Sequence, residues 1–215
     1  MFKLYGTPLS PFVRKAMLAL EYKGLEYESQ KTFPNEKSEP FQSISPLGKI
    51  PVLDHDGFTI PDTSVICRYL DRIAPEKSLY PADAKEEARA LWLEEYADTR
   101  LIENCAGVFQ ERLMKPRLLK QPTDEARLAG ILDTTLPACL DYLESIVPES
   151  GYLVGDRLSI ADLSVVTCFI QAQYGDFDVD GGRYPRLRRY LDAAYASPLV
   201  VNRMASERAN LPPGM

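Results

Sequence analysis

Apolar and polar residues follow two different rhythms along this chain, and the change falls near residue 80. Phe2-Lys3-Leu4-Tyr5 alternates as a strand. Ser10-Pro11 then opens a helix, with serine as the cap and proline at the first helical position. Val13, Met17 and Leu20 give this helix an apolar face, and Lys23-Gly24 marks its end. Leu25–Glu28 reads as a second strand, and the polar, poorly periodic stretch from Phe33 to Ile44 as a short irregular helix with a loop. Pro51–Asp54 and Phe58–Ile60 flank Asp54-His55-Asp56-Gly57, the pattern of a β-hairpin that leaves His55 as a solvated turn residue. Asp62-Thr63-Ser64 precedes Ile66, Tyr69, Leu70 and Ile73, an apolar stripe at helical spacing.

Beyond the Pro-rich linker Ala74–Pro81 the strand signal disappears. Ala84 to about Lys115 reads as one long helix ended by Pro116, and Asp124–Val147 as a second, kinked at Pro137. Ser159 and Asp162 form a capping box at the start of a third, and Tyr184–Ala196 is a fourth, stopped by Pro198. The expected organisation is a mixed α/β domain over residues 1–78 and an all-helical domain over 86–215.

The segment Gly48-Lys49-Ile50-Pro51-Val52-Leu53 carries the first chemical signal. A proline at the mouth of a strand is one of the few a sheet tolerates. A cis Ile50–Pro51 bond would turn the Ile50 amide and carbonyl outward, free to pair with a ligand backbone. The Asp-Thr-Ser cluster places amides and hydroxyls at a helix N-terminus, where a carboxylate is favoured. Together they describe a site for a small, extended, charged peptide.

Composition narrows the class. The 215 residues are 45% apolar and 26% charged, as in a soluble globular protein, and no apolar run approaches the ~18 residues of a membrane span. The N-terminus enters a strand at once, without a signal-peptide pattern. A net charge of −6 opposes general nucleic-acid binding, and Arg183–Arg189 reads as the solvated face of a helix. Cys67, Cys105, Cys139 and Cys168 are far apart, which suits helix packing in a reducing cytoplasm. With a single histidine, no metal site is expected.

Four segments in this order resemble the cytosolic glutathione transferases: Tyr5–Lys15, Gly48–Pro51, Asp62–Leu70 and Ser159–Asp162. The resemblance spans essentially the whole chain and is nearest to the serine-type, theta-like classes. It implies a thioredoxin-like N-terminal domain that binds glutathione, followed by an all-helical C-terminal domain that supplies most of the electrophile pocket. It also implies a cytoplasmic homodimer that uses glutathione as co-substrate and needs no cofactor. Ile50 would pair with the cysteinyl backbone of glutathione, Pro51 would fix that geometry, and Lys49 would attract the glycyl carboxylate. Asp62 would accept from the α-ammonium and Thr63 would hold the α-carboxylate. The usual family pair is Glu or Gln followed by Ser, so both positions depart from the pattern conservatively.

Ser10 is the expected thiol activator, as hydrogen-bond donor to the sulfur at the helix N-terminus. Tyr5, at the end of the first strand, resembles the activator of the tyrosine-type classes and is otherwise a core residue. Thr7 stands near enough to compete. No cysteine lies at position 10 or beside it, which disfavours mixed-disulfide chemistry, and Ser-Pro-Phe-Val-Arg differs from the Ser-Ser-Cys of the maleylacetoacetate isomerase class. Leu9, Phe12, Tyr96, Arg100 and Phe109 are the expected electrophile pocket, and Ser159 and Asp162 serve folding. Arg14, one turn into the helix, either approaches the site or binds solvent and a nearby acid, and its position favours the pairing. The implied reaction is thiolate attack on a small hydrophobic electrophile, with peroxide reduction as a second activity. The alternative is a non-enzymatic binding protein like the RNA-polymerase-associated stringent starvation factors.

Overall fold

The computed structural model describes residues 1–209; the last six residues of the expected second domain, 210–215, lie outside the described residues. Four strands form a mixed sheet in the order β2-β1-β3-β4: β1 Phe2–Gly6, β2 Tyr27–Lys31, β3 Val52–His55 and β4 Phe58–Ile60. β1 runs parallel to β2 and antiparallel to β3, which pairs antiparallel with β4. Leu4, Leu53 and Ile60 make a continuous buried row across three strands. Helix α1 (Pro11–Lys23) packs on α3 (Thr63–Ile73), and the short α2 (Glu39–Ile44) precedes β3. This is a thioredoxin-like domain.

The helical domain that follows comprises α4 (Ala84–Tyr96), α5 (Ile102–Phe109), α6 (Glu125–Gly130), α7 (Leu136–Ile146), α8 (Ile160–Tyr174), α9 (Pro185–Ala196) and α10 (Pro198–Ala209). α8 is its axis, buried on nearly every face and packed against α1, α4 and α5. At its start the capping box is complete: Asp162 accepts from the Ser159 amide and hydroxyl, the Leu153 amide and the Tyr190 hydroxyl, all at 2.9 Å. Burial raises the Asp162 pKa, while the amide and hydroxyl donors act the other way. Asp162→Ala strands several of these donors, and the expected loss is about 3 kcal/mol of unfolding free energy, measured by urea denaturation.

Several elements differ from the sequence-based expectation. The second strand begins at Tyr27, because Gly24 stops α1 in the left-handed conformation (φ 71°) and the Leu25 amide is spent on the Leu20 carbonyl. His55 is not a turn residue. Asp56 (φ 52°) and Gly57 (φ 90°) make a two-residue turn, so His55 stays in the ladder opposite Phe58. Its ring packs on Phe2 (4.2 Å) and its Nδ1 lies 2.7 Å from the Tyr69 hydroxyl. On α3 the buried face is Thr63, Ile66, Cys67, Leu70 and Asp71, and Ile73 is exposed.

The helix from Ala84 also does not end at Pro116. Widened π-type turns over Ala97–Leu101 and Gln110–Leu119 carry it through the proline to Lys120, which closes it at φ 54°. A similar widened turn, Ile131–Thr135, leads into α7, whose first turn holds Pro137, the residue whose missing amide is expected to kink the helix. Pro198 stops α9 but also opens α10, a helix not anticipated, with the Ser197 carbonyl accepting from the Val201 amide. All four cysteines are buried as free thiols, Cys67 pushed up to about 12 by burial. Arg183 and Arg188 of the basic cluster pair with Asp141, Asp178 and Asp192 at the surface.

Candidate active site at one end of the sheet

Strand register brings three separate segments together. Tyr5 pairs with Val52 and Leu53 with Ile60, so the C-terminal end of β1, the N-terminal end of β3 and the C-terminal end of β4 share one end of the sheet. Ser10 follows the first, Ile50–Pro51 precedes the second, and Asp62–Thr63 follows the third. The N-termini of α1 and α3 therefore open toward the same end, with the proline turn beside them.

Each segment is shaped locally. A Cβ on Gly6 would stand 2.5 Å from Val13 Cγ2, so only glycine lets the end of β1 approach α1 this closely. The loop then turns back, the Ser10 amide bonding to the Thr7 carbonyl at 2.9 Å. Ser10 caps α1: its carbonyl accepts from the Arg14 amide (2.9 Å) and its Oγ from the Val13 amide (3.5 Å). Because Oγ accepts within the cap, the hydroxyl hydrogen is left to donate outward. Pro11 has no amide hydrogen, so no donor of that first residue is wasted.

Gly48, at φ 62°, closes a turn held by Gly48 N to Ser45 O (2.8 Å), Asn35 N to Gly48 O (2.7 Å) and Ser45 Oγ to Lys49 O (2.7 Å). Lys49 is exposed beyond it, and the Ile50–Pro51 peptide bond is cis. Ile50 stands outside the β1–β3 ladder, which ends at Val52. Asp62 caps α3 through Oδ1, accepting from the Val65 amide at 3.0 Å, and is itself exposed. Thr63 is buried. Its hydroxyl makes no hydrogen bond among the described residues.

The other predicted residues divide. Leu9 and Phe12 lie at the α1 N-terminus, both partly exposed. Phe109 is buried, with its ring 6.5 Å from Tyr174, over which the Arg14 guanidinium lies at 5.5 Å. Tyr96 and Arg100 point elsewhere. Tyr96 stacks on Tyr142 of α7 (4.8 Å) and Trp92 (6.1 Å), and Arg100 opens into a groove with Arg127 and Thr134. Helical rotation explains the split: Glu94, Ala97 and Leu101 carry the buried side of that helix, and residues 96 and 100 lie off it. Tyr5, the rival activator, lines a separate cavity with Lys31, Phe33, Phe41 and Ile44.

Three cations buried along α1 have acidic partners that no local pattern names: Arg14 and Lys15 near its start and Lys23 at its far end. Lys15 donates to Glu94 (3.0 Å) and to Asp98, and Asp98 also accepts from the Ser64 hydroxyl at 3.3 Å, next to Thr63. Arg14 pairs with Glu207. Lys23 donates to Asp71 (2.8 Å) and to the Ala74 and Lys77 carbonyls (both 2.9 Å), fixing the interdomain linker. The available signal was Arg14-Lys15 inside the otherwise apolar run Val13–Leu20, since a cation on a buried helix face requires an acid from elsewhere.

Fold and site define the class first: a thioredoxin-like domain whose proline turn and two helix N-termini lie at one end of its sheet, joined to a helical domain. The chain belongs to the glutathione S-transferase family. The model of the family's N-terminal domain matches residues 4–78, and that of its C-terminal domain residues 109–207. A glutathione S-transferase of Pseudomonas putida is 30% identical over 232 aligned positions, covering 99% of this chain and 95% of that protein. The crystal structure of a glutathione S-transferase from Rhodospirillum rubrum F11 superposes with a TM-score of 0.84 at 27% identity, covering 94% of this chain and 91% of that one. The FtsZ-localized protein A of Caulobacter vibrioides is 27% identical over 195 positions, with 86% of each chain covered. No helix among the described residues is long and apolar enough to cross a membrane.

Proposed function

We propose that this chain is a glutathione transferase that ionises the thiol of glutathione with Ser10 and adds it to small hydrophobic electrophiles. The observation that carries this reading is the convergence of the Ser10 cap, the Ile50–Pro51 turn and the Asp62–Thr63 cap at one end of the sheet. Ile50 pairs with the cysteinyl main chain and Lys49 attracts the glycyl carboxylate. The Thr63 hydroxyl and the first amides of α3 take the α-carboxylate, and Asp62 takes the α-ammonium. Bound in this way, the tripeptide lays its sulfur at the N-terminus of α1. Ser10 donates to the sulfur there, and the helix dipole favours its negative charge.

The thiolate then attacks the electrophile and forms a carbon–sulfur bond as the leaving group departs, the thiol proton having passed to solvent. With a hydroperoxide, the same thiolate attacks oxygen, and a second glutathione completes reduction to alcohol, water and glutathione disulfide. Leu9, Phe12 and Phe109 form the apolar wall on the electrophile's side. The chain acts as a homodimer in the cytoplasm, a reading supported by large apolar side chains exposed on β4, α3 and α4: Phe58, Val65, Leu91 and Trp92.

Thermal melting with glutathione tests the reading. For a dissociation constant of about 0.1 mM, 1 mM glutathione stabilises the fold by about 1.4 kcal/mol, a rise of roughly 3–5 °C in Tm. Thr63→Ala removes a charge-assisted hydrogen bond, so KM for glutathione is expected to rise about tenfold with kcat nearly unchanged. No Tm rise with millimolar glutathione would sink the proposal. A second reading, a protein-binding role without turnover, is favoured by the likeness to FtsZ-localized protein A. It predicts glutathione that binds without being ionised.

A further inference from the structure

The side chain of Arg14 has no part in the site described above, yet its backbone closes the first turn of the Ser10 helix. The guanidinium is fully buried and turned toward α8 and α10. Nε lies 2.9 Å from both carboxylate oxygens of Glu207, and Nη2 lies 2.9 Å from Oε2. Nη1 donates to the Thr167 carbonyl and to Gln171 Oε1, each at 3.2 Å. Glu207 also accepts from the Tyr174 hydroxyl (3.0 Å) and faces Arg203 Nε at 3.5 Å. Arg203 in turn donates to Glu21 of α1 at 2.7 Å. A further tie runs from the Thr167 hydroxyl to the Pro11 carbonyl at 3.0 Å, one residue after Ser10.

Two arginines and two glutamates balance in charge, so the cluster is neutral, with Arg14 Nη2 and Arg203 Nε held near Glu207 by charge rather than by hydrogen bonds. Its geometry is more restrictive than packing alone. Nε donating to both oxygens of one carboxylate while Nη1 donates to two acceptors on α8 fixes direction as well as distance, whereas apolar side chains of similar volume often stabilise a core as well or better. This guanidinium is attached one turn from Ser10, and a change of a few tenths of an ångström there alters the aim of a hydroxyl.

We propose that Arg14 and Glu207 are positioning residues through which the C-terminal helix α10 sets the first turn of α1 and aims the Ser10 hydroxyl at the glutathione sulfur. This rests on the reading of Ser10 as the thiol's donor. Two routes from Glu207 to the thiol differ in sign. Neutralising Glu207 leaves a net positive cluster, and through space that would lower the thiol pKa. Loss of alignment instead raises it.

Glu207→Gln, with Ser10→Ala and the double variant, separates the routes. In the ligand-free protein, amide exchange at Val13 and Arg14 is expected to quicken about tenfold. With saturating glutathione, ultraviolet titration of the bound thiolate is expected to show a pKa about half a unit to one unit higher. This rise disappears in the Ser10→Ala background. If Glu207→Gln does not fold, Glu207→Asp keeps the charge, shortens the reach and takes its place. Unchanged exchange, an unchanged or lowered thiol pKa, or an equal rise in the Ser10→Ala background would overturn the inference. A wild-type protein that leaves the thiol near its free pKa of about 8.5 sinks the Ser10 reading instead, and the exchange rates still decide whether α10 orders α1.

Discussion

Replacing Ser10 by alanine is expected to raise the pKa of bound glutathione by about two units and to cut turnover of a model aryl halide at pH 6.5 by between about 6- and 50-fold. A free thiol near 8.5 brought to about 6.5 requires about 2.7 kcal/mol of preference for the thiolate. One hydrogen bond to a charged sulfur supplies about 1.5–3 kcal/mol, and a helix N-terminus about 1. Alanine removes the donor and also the cap, since the Val13 amide loses its acceptor. The thiolate fraction at pH 6.5 then falls about 50-fold, while the more basic thiolate regains up to about 8-fold in intrinsic nucleophilicity. The diagnostic result is the pH profile. The wild-type advantage is largest below pH 7 and vanishes or reverses above pH 9, where both sulfurs are ionised and the variant's thiolate is the more basic. A profile that loses height without moving would assign Ser10 to folding.

The largest expected effect on stability is at Lys15. Its ammonium is completely buried; desolvation works against the charge, but Asp98 and Glu94 more than offset it and hold its pKa above the ordinary lysine value. Lys15→Met leaves two carboxylates of the helical domain facing an apolar side chain. Breaking a buried pair of this kind costs about 3–5 kcal/mol, which for a chain of this size is a fall of roughly 6–20 °C in Tm. The sign of its pH dependence follows from linkage. Without the cation, Glu94 and Asp98 bind protons more tightly in the folded variant than in the unfolded chain, so the variant recovers stability as pH falls. The gap between wild type and variant is widest near neutrality and narrows toward pH 4. A gap that is constant across this range in thermal melts would show that Lys15 acts through its methylene stem alone. Asp98 also holds Ser64, so the variant's glutathione affinity is expected to fall with its stability.

What was legible in the sequence was local. Ser10-Pro11, Asp62 and Ser159–Asp162 are helix starts encoded within four residues, and each cap forms where those residues place it. The proline turn is equally local, and so the segments of the candidate site were readable before their convergence was. Strand ends were less so: Leu25 has the pattern of a strand but is consumed by the stop of α1. Pro116 and Pro198 misled in opposite ways, one crossed by a widened helical turn and the other beginning a helix rather than only ending one. The buried ties were illegible because their partners are remote, 79 residues apart for Lys15–Glu94 and 193 for Arg14–Glu207. The electrophile pocket suffered similarly. Tyr96 and Arg100 share a helix with Phe109, yet the widened turn Ala97–Leu101, which follows Tyr96 and contains Arg100, resets the rotation that spacing alone would imply.

The central claim is that the meeting point of Ser10, the Ile50–Pro51 turn and the α3 cap binds glutathione and ionises it. An ultraviolet titration of the wild-type protein saturated with glutathione measures this directly. The expected result is thiolate absorbance proportional to bound tripeptide, with a midpoint about two units below the free value of about 8.5. Saturable binding with the midpoint left at 8.5, or no thiolate signal below pH 8, would contradict it.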